Sequence, residues 1–492
     1  MMTLSDKIWI RVKAAYLRIT LNRVTSLFFL FSFFFCFAQA VIQSFLISVD
    51  GDWNTIVGGI VKQGNLPREQ FVDYNGRNGN YSLRICTGVP VVGRANTCQP
   101  LYTSDISDTT PSSRNFSSLD WMLPHGGDPR GLTIQGSPDE QGNPVIVSQS
   151  NNAGNTVTLD QLCVQILSYP LQRLQFSTRE EIALVVSQFW FFGLSVFAII
   201  FESPPHLLAL VIGRTLAAGW STYALWRNGN FADRVQHLIG NSGTPCNLDI
   251  FPPYFHTRNA VQIADVVLHF VALAIFLPLS WRLLKLYDTL TFSRVGPPKT
   301  ILTIYRYFLV VFVGLQLAVF FLVVAMSLWV DQLINGVVAA ISSHTTIYQA
   351  LFIFTTVTLL PWISLGWFSV RRERKYMMIA FISIGAIYVC AWSIMFYSQV
   401  YRFTWVDWPF FGCMTIASFV VVVISVAFGI VCRLQFGRGF LDYLQTEKSL
   451  ARTDFEPDVF YHETEKEWTK ADEENPDRIT LPVLLSQAPG RV

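Results

Sequence analysis

Apolar residues gather along this chain into eight long runs separated by polar stretches. One run lies near the N-terminus at 24–48, and seven follow at 181–201, 206–226, 261–284, 304–330, 346–369, 376–398 and 409–432. Each approaches or exceeds the roughly 20 residues that a helix needs to cross about 30 Å of hydrocarbon. The pattern predicts an all-α transmembrane bundle of seven helices, preceded by an N-terminal signal anchor or signal peptide. Trp226, Trp281, Trp329, Trp367, Trp405 and Trp408 fall near the ends of these runs, where an indole places its ring against acyl chains and its N–H toward water.

Four regions follow: a basic N-terminus and anchor at 1–48, an extracellular or lumenal domain at 49–180, the seven-helix bundle at 181–432 and a tail at 433–492. The second region is polar, and islands such as YSLRIC, PVIVSQS and NTVTL between Asn-Gly and Asp-Pro turn signals predict a small β-rich domain. The tail beyond 453 is acidic and too poor in apolar residues to bury a core, so it is expected to be disordered.

Composition agrees with the runs. The 492 residues are 51% hydrophobic and only 14% charged, against roughly 25% charged in soluble domains. The net charge of +2 says little as a total, but its distribution orients the chain. Lys7, Arg11, Lys13, Arg18 and Arg23 precede the first run; Arg282, Lys285, Arg294, Lys299 and Arg306 mark segment 282–306; VRRERK fills 370–375. Loop 331–345 has neither Lys nor Arg. The positive-inside rule then predicts a cytosolic N-terminus, an outside 49–180 segment and a cytosolic tail.

The first run has two readings. It is an uncleaved anchor, or a signal peptide cut after Ala40, since Ala38-Gln39-Ala40 has the small-x-small form of a cleavage site. Either way the protein is expected in a membrane of the secretory pathway, the plasma membrane first among them.

Of eight cysteines, Cys86, Cys98, Cys163 and Cys246 fall on the predicted outside, where disulfides persist. The favoured pairing is Cys86–Cys98, closing a hairpin, and Cys163–Cys246, tying the outside domain to loop 227–260; free or differently paired thiols are the alternative. The sequons at Asn80 and Asn115 make them glycosylation candidates. Cys432, at the cytosolic end of the last run, is a candidate for palmitoylation or a plain interfacial cysteine. Behind it, Phe436, Phe440, Leu441 and Leu444 suggest a short amphipathic segment.

Ionisable residues at membrane depth are the candidates for chemistry, because leaving them unpaired is costly. Arg214 lies about 12 Å from one face, and Asp265 and His269 share a helix face at i, i+4. Either the three form one polar cluster between helices, or Arg214 snorkels to the cytosolic headgroups and Asp265 sits at the outer surface. No zinc-type motif, phosphate-binding loop or nucleophile elbow is present, so no catalytic residue, cofactor or metal is assigned and no enzyme is expected. No long basic run suits nucleic acid. The expected partners are the bilayer, an extracellular ligand and a cytosolic protein engaging the tail.

With FGRGF at 436–440 and DFEP at 454–457, the chain resembles a family of uncharacterised multi-pass membrane proteins from fungi, a resemblance that carries no activity. Its layout is also similar to that of seven-helix receptors. The segment SWRLLKLYDTL lacks the Asp/Glu-Arg-Tyr triplet, however, and IASFVVVVISVAFGIVC lacks Asn-Pro-x-x-Tyr. A receptor or sensor is the leading expectation, with a transporter or channel and a non-catalytic scaffold as alternatives.

Overall fold

The computed structural model describes residues 9, 13, 16–20, 22–63, 71–77, 80–88, 98–103, 132–138, 144–150, 156–241, 243–246, 250–291, 299–336 and 345–438. Helix α1 (Arg23–Gln63) is followed by strands β1 (Phe71–Arg77), β2 (Asn80–Cys86), β3 (Cys98–Thr103), β4 (Leu132–Pro138), β5 (Pro144–Ser150) and β6 (Thr156–Leu159). Then come α2 (Gln161–Ile200), α3 (Pro204–Val235) with a π turn at Gln236–Gly240, α4 (Pro252–Thr291) and α5 (Lys299–Asn335). The chain continues through α6 (Thr345–Arg371), α7 (Lys375–Tyr397), the short α8 (Gln399–Asp407) and α9 (Pro409–Gln435).

Among the described residues, α1, α2, α4, α5, α6, α7 and α9 are long and apolar enough to cross a membrane. Large apolar side chains such as Phe34, Val41, Ile353, Leu360 and Ile394 face outward from them. An exposed apolar surface of that extent is what lipid contact requires of a bundle. Helix α3, expected as a span over 206–226, forms in full but is less apolar than these seven. Arg214, Ser221 and Thr222 dilute it, and it is sheltered because it packs against α2, α4 and α5.

Helix lengths differ most from expectation. The run at 24–48 is the N-terminal part, that at 181–201 the C-terminal half and that at 261–284 the middle of helices of 41, 40 and 40 residues. At 1.5 Å per residue each is about 60 Å long, twice a hydrocarbon core. The polar residues read as loops at 49–63, 161–180, 227–235 and 252–260 are helical, because hydropathy reports what surrounds a helix and not where it ends. Loop 399–408 likewise contains α8, and Pro361 sits inside a continuous α6. Trp226 and Trp281 are exposed as expected of interfacial residues, whereas Trp329 and Trp408 are buried in aromatic contacts.

The strands form two antiparallel sheets in sequence order, β1-β2-β3 and β4-β5-β6. Arg77 faces Asn80 in the β1–β2 register, leaving Asn78-Gly79 as the two-residue connection that favours tight hairpins. The first sheet has no core of its own. Val72 and Leu83 join Val57 and Ile60 of α1, Ile166 and Leu167 of α2, Leu238 and Ile239 of the π turn, and Tyr254 of α4 in one buried cluster. The described residues of this sheet therefore pack on the helices that carry it.

Both favoured disulfides form: Cys86–Cys98 joins directly opposed residues of β2 and β3, and Cys163–Cys246 ties α2 to the turn after α3. Between α2 and α3, Glu202 takes a positive φ of 46° in the Glu-Ser-Pro-Pro turn. The amphipathic segment around Phe440, Leu441 and Leu444 lies outside the described residues, as does the acidic tail.

Candidate functional site

Helix α1 buries one stripe, and much of it is polar: Ser32, Cys36, Gln39, Gln43 and Asp50 recur at three- to four-residue or seven-residue spacing. Helix α4 runs antiparallel to it and answers with Arg258, Gln262, Asp265 and His269. The pairs Asp50–Arg258, Gln43–Asp265 and Gln39–His269 step along the two helices in one constant register. A column of polar side chains thus descends through the interior of α1–α4 from the end that carries the sheet.

At the top, Arg258 is only 3% exposed and donates to Asp50 and, at 2.9 Å, to Glu181 of α2. The Tyr254 hydroxyl donates to Asp50 at 3.0 Å. Next to it, Glu180 accepts from Arg227 at 2.8 Å and from the Trp220 indole at 2.8 Å. One arginine therefore serves two fully buried carboxylates, and losing it would leave both uncompensated.

One step down, Asp265 accepts from Gln43 at 3.1 Å, from Gln262 at 3.4 Å and from the Ser221 hydroxyl. Below it, His269 Nδ1 lies 3.0 Å from both the Gln39 amide and the Asp265 carbonyl. That nitrogen accepts from the amide in one tautomer and donates to the carbonyl in the other, so a single proton position decides which contact is satisfied.

The column ends at Arg214, 4% exposed, whose guanidinium carbon stands 4.6 Å from the Phe35 ring centroid and 4.8 Å from that of Phe276. None of its three guanidinium nitrogens has a hydrogen-bond partner. Ring faces attract a cation but return less than a carboxylate would.

Both sequence readings of these residues need correction. Asp265 and His269 do share a face and lie 3.5 Å apart, but Asp265 is buried, not at an outer surface. Arg214 joins neither of them and does not snorkel; it is enclosed by phenylalanines. The residues missed were Asp50, Glu180, Glu181, Arg227 and Arg258, which lie in stretches taken for loops or span ends. Gln39 and Gln43 were available as a signal: two amides four apart inside an otherwise apolar run.

Beside the column, at the sheet end, a pocket of about 250 Å³ opens between α2, α3, α4 and the α8–α9 corner. Its wall carries Arg173, Arg227, Arg234 and Arg258 with the carboxylates of Glu180 and Asp407; Arg258 is already held by Asp50 and Glu181 behind the wall. Arg173 pairs with Asp407 at 2.6 Å. Arg234 has no carboxylate within ion-pair distance among the described residues and rests over the Tyr74 ring at 4.9 Å. Tyr169, Phe176, Tyr223 and Phe231 supply apolar wall.

No family model matches the chain, and no curated protein or solved structure does either.

Cys432 is fully buried at the end of α9; an enclosed thiol is not presented to an acylating enzyme, which disfavours palmitoylation of the folded helix end. Asn80 begins β2, with its side chain outside the described set, and Asn115 lies outside the described residues altogether. Among the described residues no three His, Cys, Asp or Glu side chains are grouped to hold a metal ion.

Proposed function

We propose that this protein is a membrane receptor or sensor for a small organic anion, bound from outside in the arginine-lined pocket. The observation that carries the reading is that Arg258 and Glu180 belong to the pocket wall while Arg258 also holds Asp50 and Glu181 of the buried column. An anion meeting the wall therefore competes for charges that fasten α1, α2 and α4 together. Such a pocket has the build expected of a ligand site, apolar walls with a few convergent polar groups.

A transporter reading has less support. The column stops at Arg214 beneath Phe35, Phe191 and Phe276, so the polar residues do not line a path from end to end. In the receptor reading the N-terminal helix is a retained signal anchor. Helix α1 runs without a break through Ala38-Gln39-Ala40, and Phe28, Phe35, Cys36 and Gln39 are buried against the bundle. Glycosylation at Asn80 and Asn115, a plasma-membrane address and a cytosolic partner for the tail belong to the same proposal.

The test is ligand-induced stabilisation of the purified full-length chain by benzoate and phenylacetate, compared with their neutral amides. The carboxylates should raise the melting temperature and the amides should not, and Arg234→Gln should abolish the difference. Equal effects of acid and amide would remove the anion reading. Accumulation of labelled phenylacetate inside proteoliposomes would replace the receptor by a transporter.

A further inference from the structure

Beneath the ion pairs, α1–α4 enclose a cavity of about 10 Å³, room for one water-sized occupant. Its polar lining is Gln43, Glu181, Gln188, Ser221, Gln262, Asp265 and His269, with the Trp220 indole already donating to Glu180. Gln43 Oε1, Gln188 Oε1 and Glu181 Oε2 have no hydrogen-bond donor, and their side chains belong to residues only 2–3% exposed. Every unpartnered buried polar atom among the lining residues is an oxygen acceptor; no buried donor of theirs is left over.

Charge points the same way. Glu181 shares Arg258 with Asp50, so one arginine stands against two carboxylates. Asp265 has no arginine or lysine in contact; its hydrogen bonds come from neutral amides and a hydroxyl, and His269 Nδ1, 3.5 Å from Oδ1, is engaged by the Gln39 amide and the Asp265 carbonyl. A water molecule has two hydrogens and no net charge, too little for three empty acceptors and a surplus of negative charge. A hard cation engages oxygens of all these kinds and offsets the charge. A divalent ion is disfavoured, since calcium takes about six to eight oxygens and magnesium holds on to its waters.

We propose that this cavity is a sodium-ion site, with the Asp265 carboxylate as its charged ligand and oxygens of Gln43, Gln188, Ser221 and Glu181 completing the shell. The ion would hold α1, α2, α3 and α4 together at the level where Asp265 has no arginine or lysine partner. The proposal does not depend on what the neighbouring pocket binds.

It is tested by equilibrium binding of radioactive sodium to the purified full-length protein, at constant ionic strength maintained with N-methylglucamine chloride. Saturable binding of one ion per chain is expected, displaced by unlabelled sodium and not by N-methylglucamine. Asp265→Asn, which keeps the side chain's size, should weaken binding more than tenfold. Ser221→Ala, a milder change, should weaken it measurably should the first variant fail to fold. Sodium should also raise the melting temperature of the wild-type chain. Absence of saturable binding, or wild-type affinity in the folded variants, would overturn the proposal. So would a melting temperature that follows pH and ignores sodium, since a proton would then be meeting the surplus charge.

Discussion

The two halves of the bundle solve the same packing problem with opposite chemistry. Helices α1–α4 bury Asp50, Glu180, Glu181, Arg214, Arg258, Asp265 and His269. In α5–α9 the buried polar side chains among the described residues are amides and hydroxyls such as Gln316, Ser369, Thr415 and Ser425. There the interior is aromatic. Trp362 stacks on Phe381 at 5.0 Å and donates its indole N–H to the Phe381 carbonyl at 3.0 Å. Trp329 lies between Tyr401 and Phe411. Close approach rests on glycine: a Cβ on Gly385 would stand 2.5 Å from Val426, and one on Gly366 2.8 Å from Phe381. That is how helices associate in lipid, through small residues and shape. Polar columns cost stability unless fully paired, so the first half is the one whose composition asks for a functional explanation.

The contrast can be broken at its strongest point by Arg258→Met. It strands two buried carboxylates, and the expected loss is about 3–5 kcal/mol, read as a large fall in melting temperature that acid partly restores by protonating them. Gly385→Leu attacks the other half. Overpacking there should cost about 1–3 kcal/mol with no dependence on pH, because no charge is involved. Comparable pH dependence in the two variants would erase the distinction between the halves.

Arg214→Met sharpens the comparison from the opposite side. The guanidinium has ring faces but no hydrogen-bond acceptor, so an apolar replacement should leave the melting temperature unchanged or raise it. A fall of several degrees would mean that Arg214 holds structure as Arg258 does. The smallest effect is expected at Asp73 on β1. Its carboxyl is pushed above the usual range by burial first and by the charge of Asp407 second, against Arg84 and Arg173. A carboxyl raised in the folded state destabilises that state once ionised. Asp73→Asn should therefore be slightly more stable than wild type at neutral pH, and the gain should vanish as the pH falls and wild type takes up its proton.

Much of the architecture was legible in the sequence. Runs of about 20 apolar residues located the helices, and compartment logic selected four cysteines that do pair as favoured. The i, i+4 spacing of Asp265 and His269 also survived. What stayed hidden was the column that gives them partners. Arg258 and Asp50 lie in polar stretches that hydropathy assigns to loops and Glu181 at the edge of a run, although α1, α2 and α4 continue there as helices. Gln39 and Gln43 were diluted by the phenylalanines around them. Their pairing with His269 and Asp265 depends on the antiparallel register of α1 and α4, over 200 residues apart in the chain, which no local pattern encodes.

The central claim is that the ionic network of α1–α4 serves response and not stability. Replacing all three members together, Asp50→Leu, Glu181→Leu and Arg258→Met, tests it most directly. An apolar substitute for a buried ionic triad is often neutral or stabilising. The triple variant should therefore melt close to wild type, well above Arg258→Met alone, and yet lose its stabilisation by phenylacetate. A triple variant that still responds to phenylacetate like wild type would contradict the claim, as would one that melts as low as the single variant.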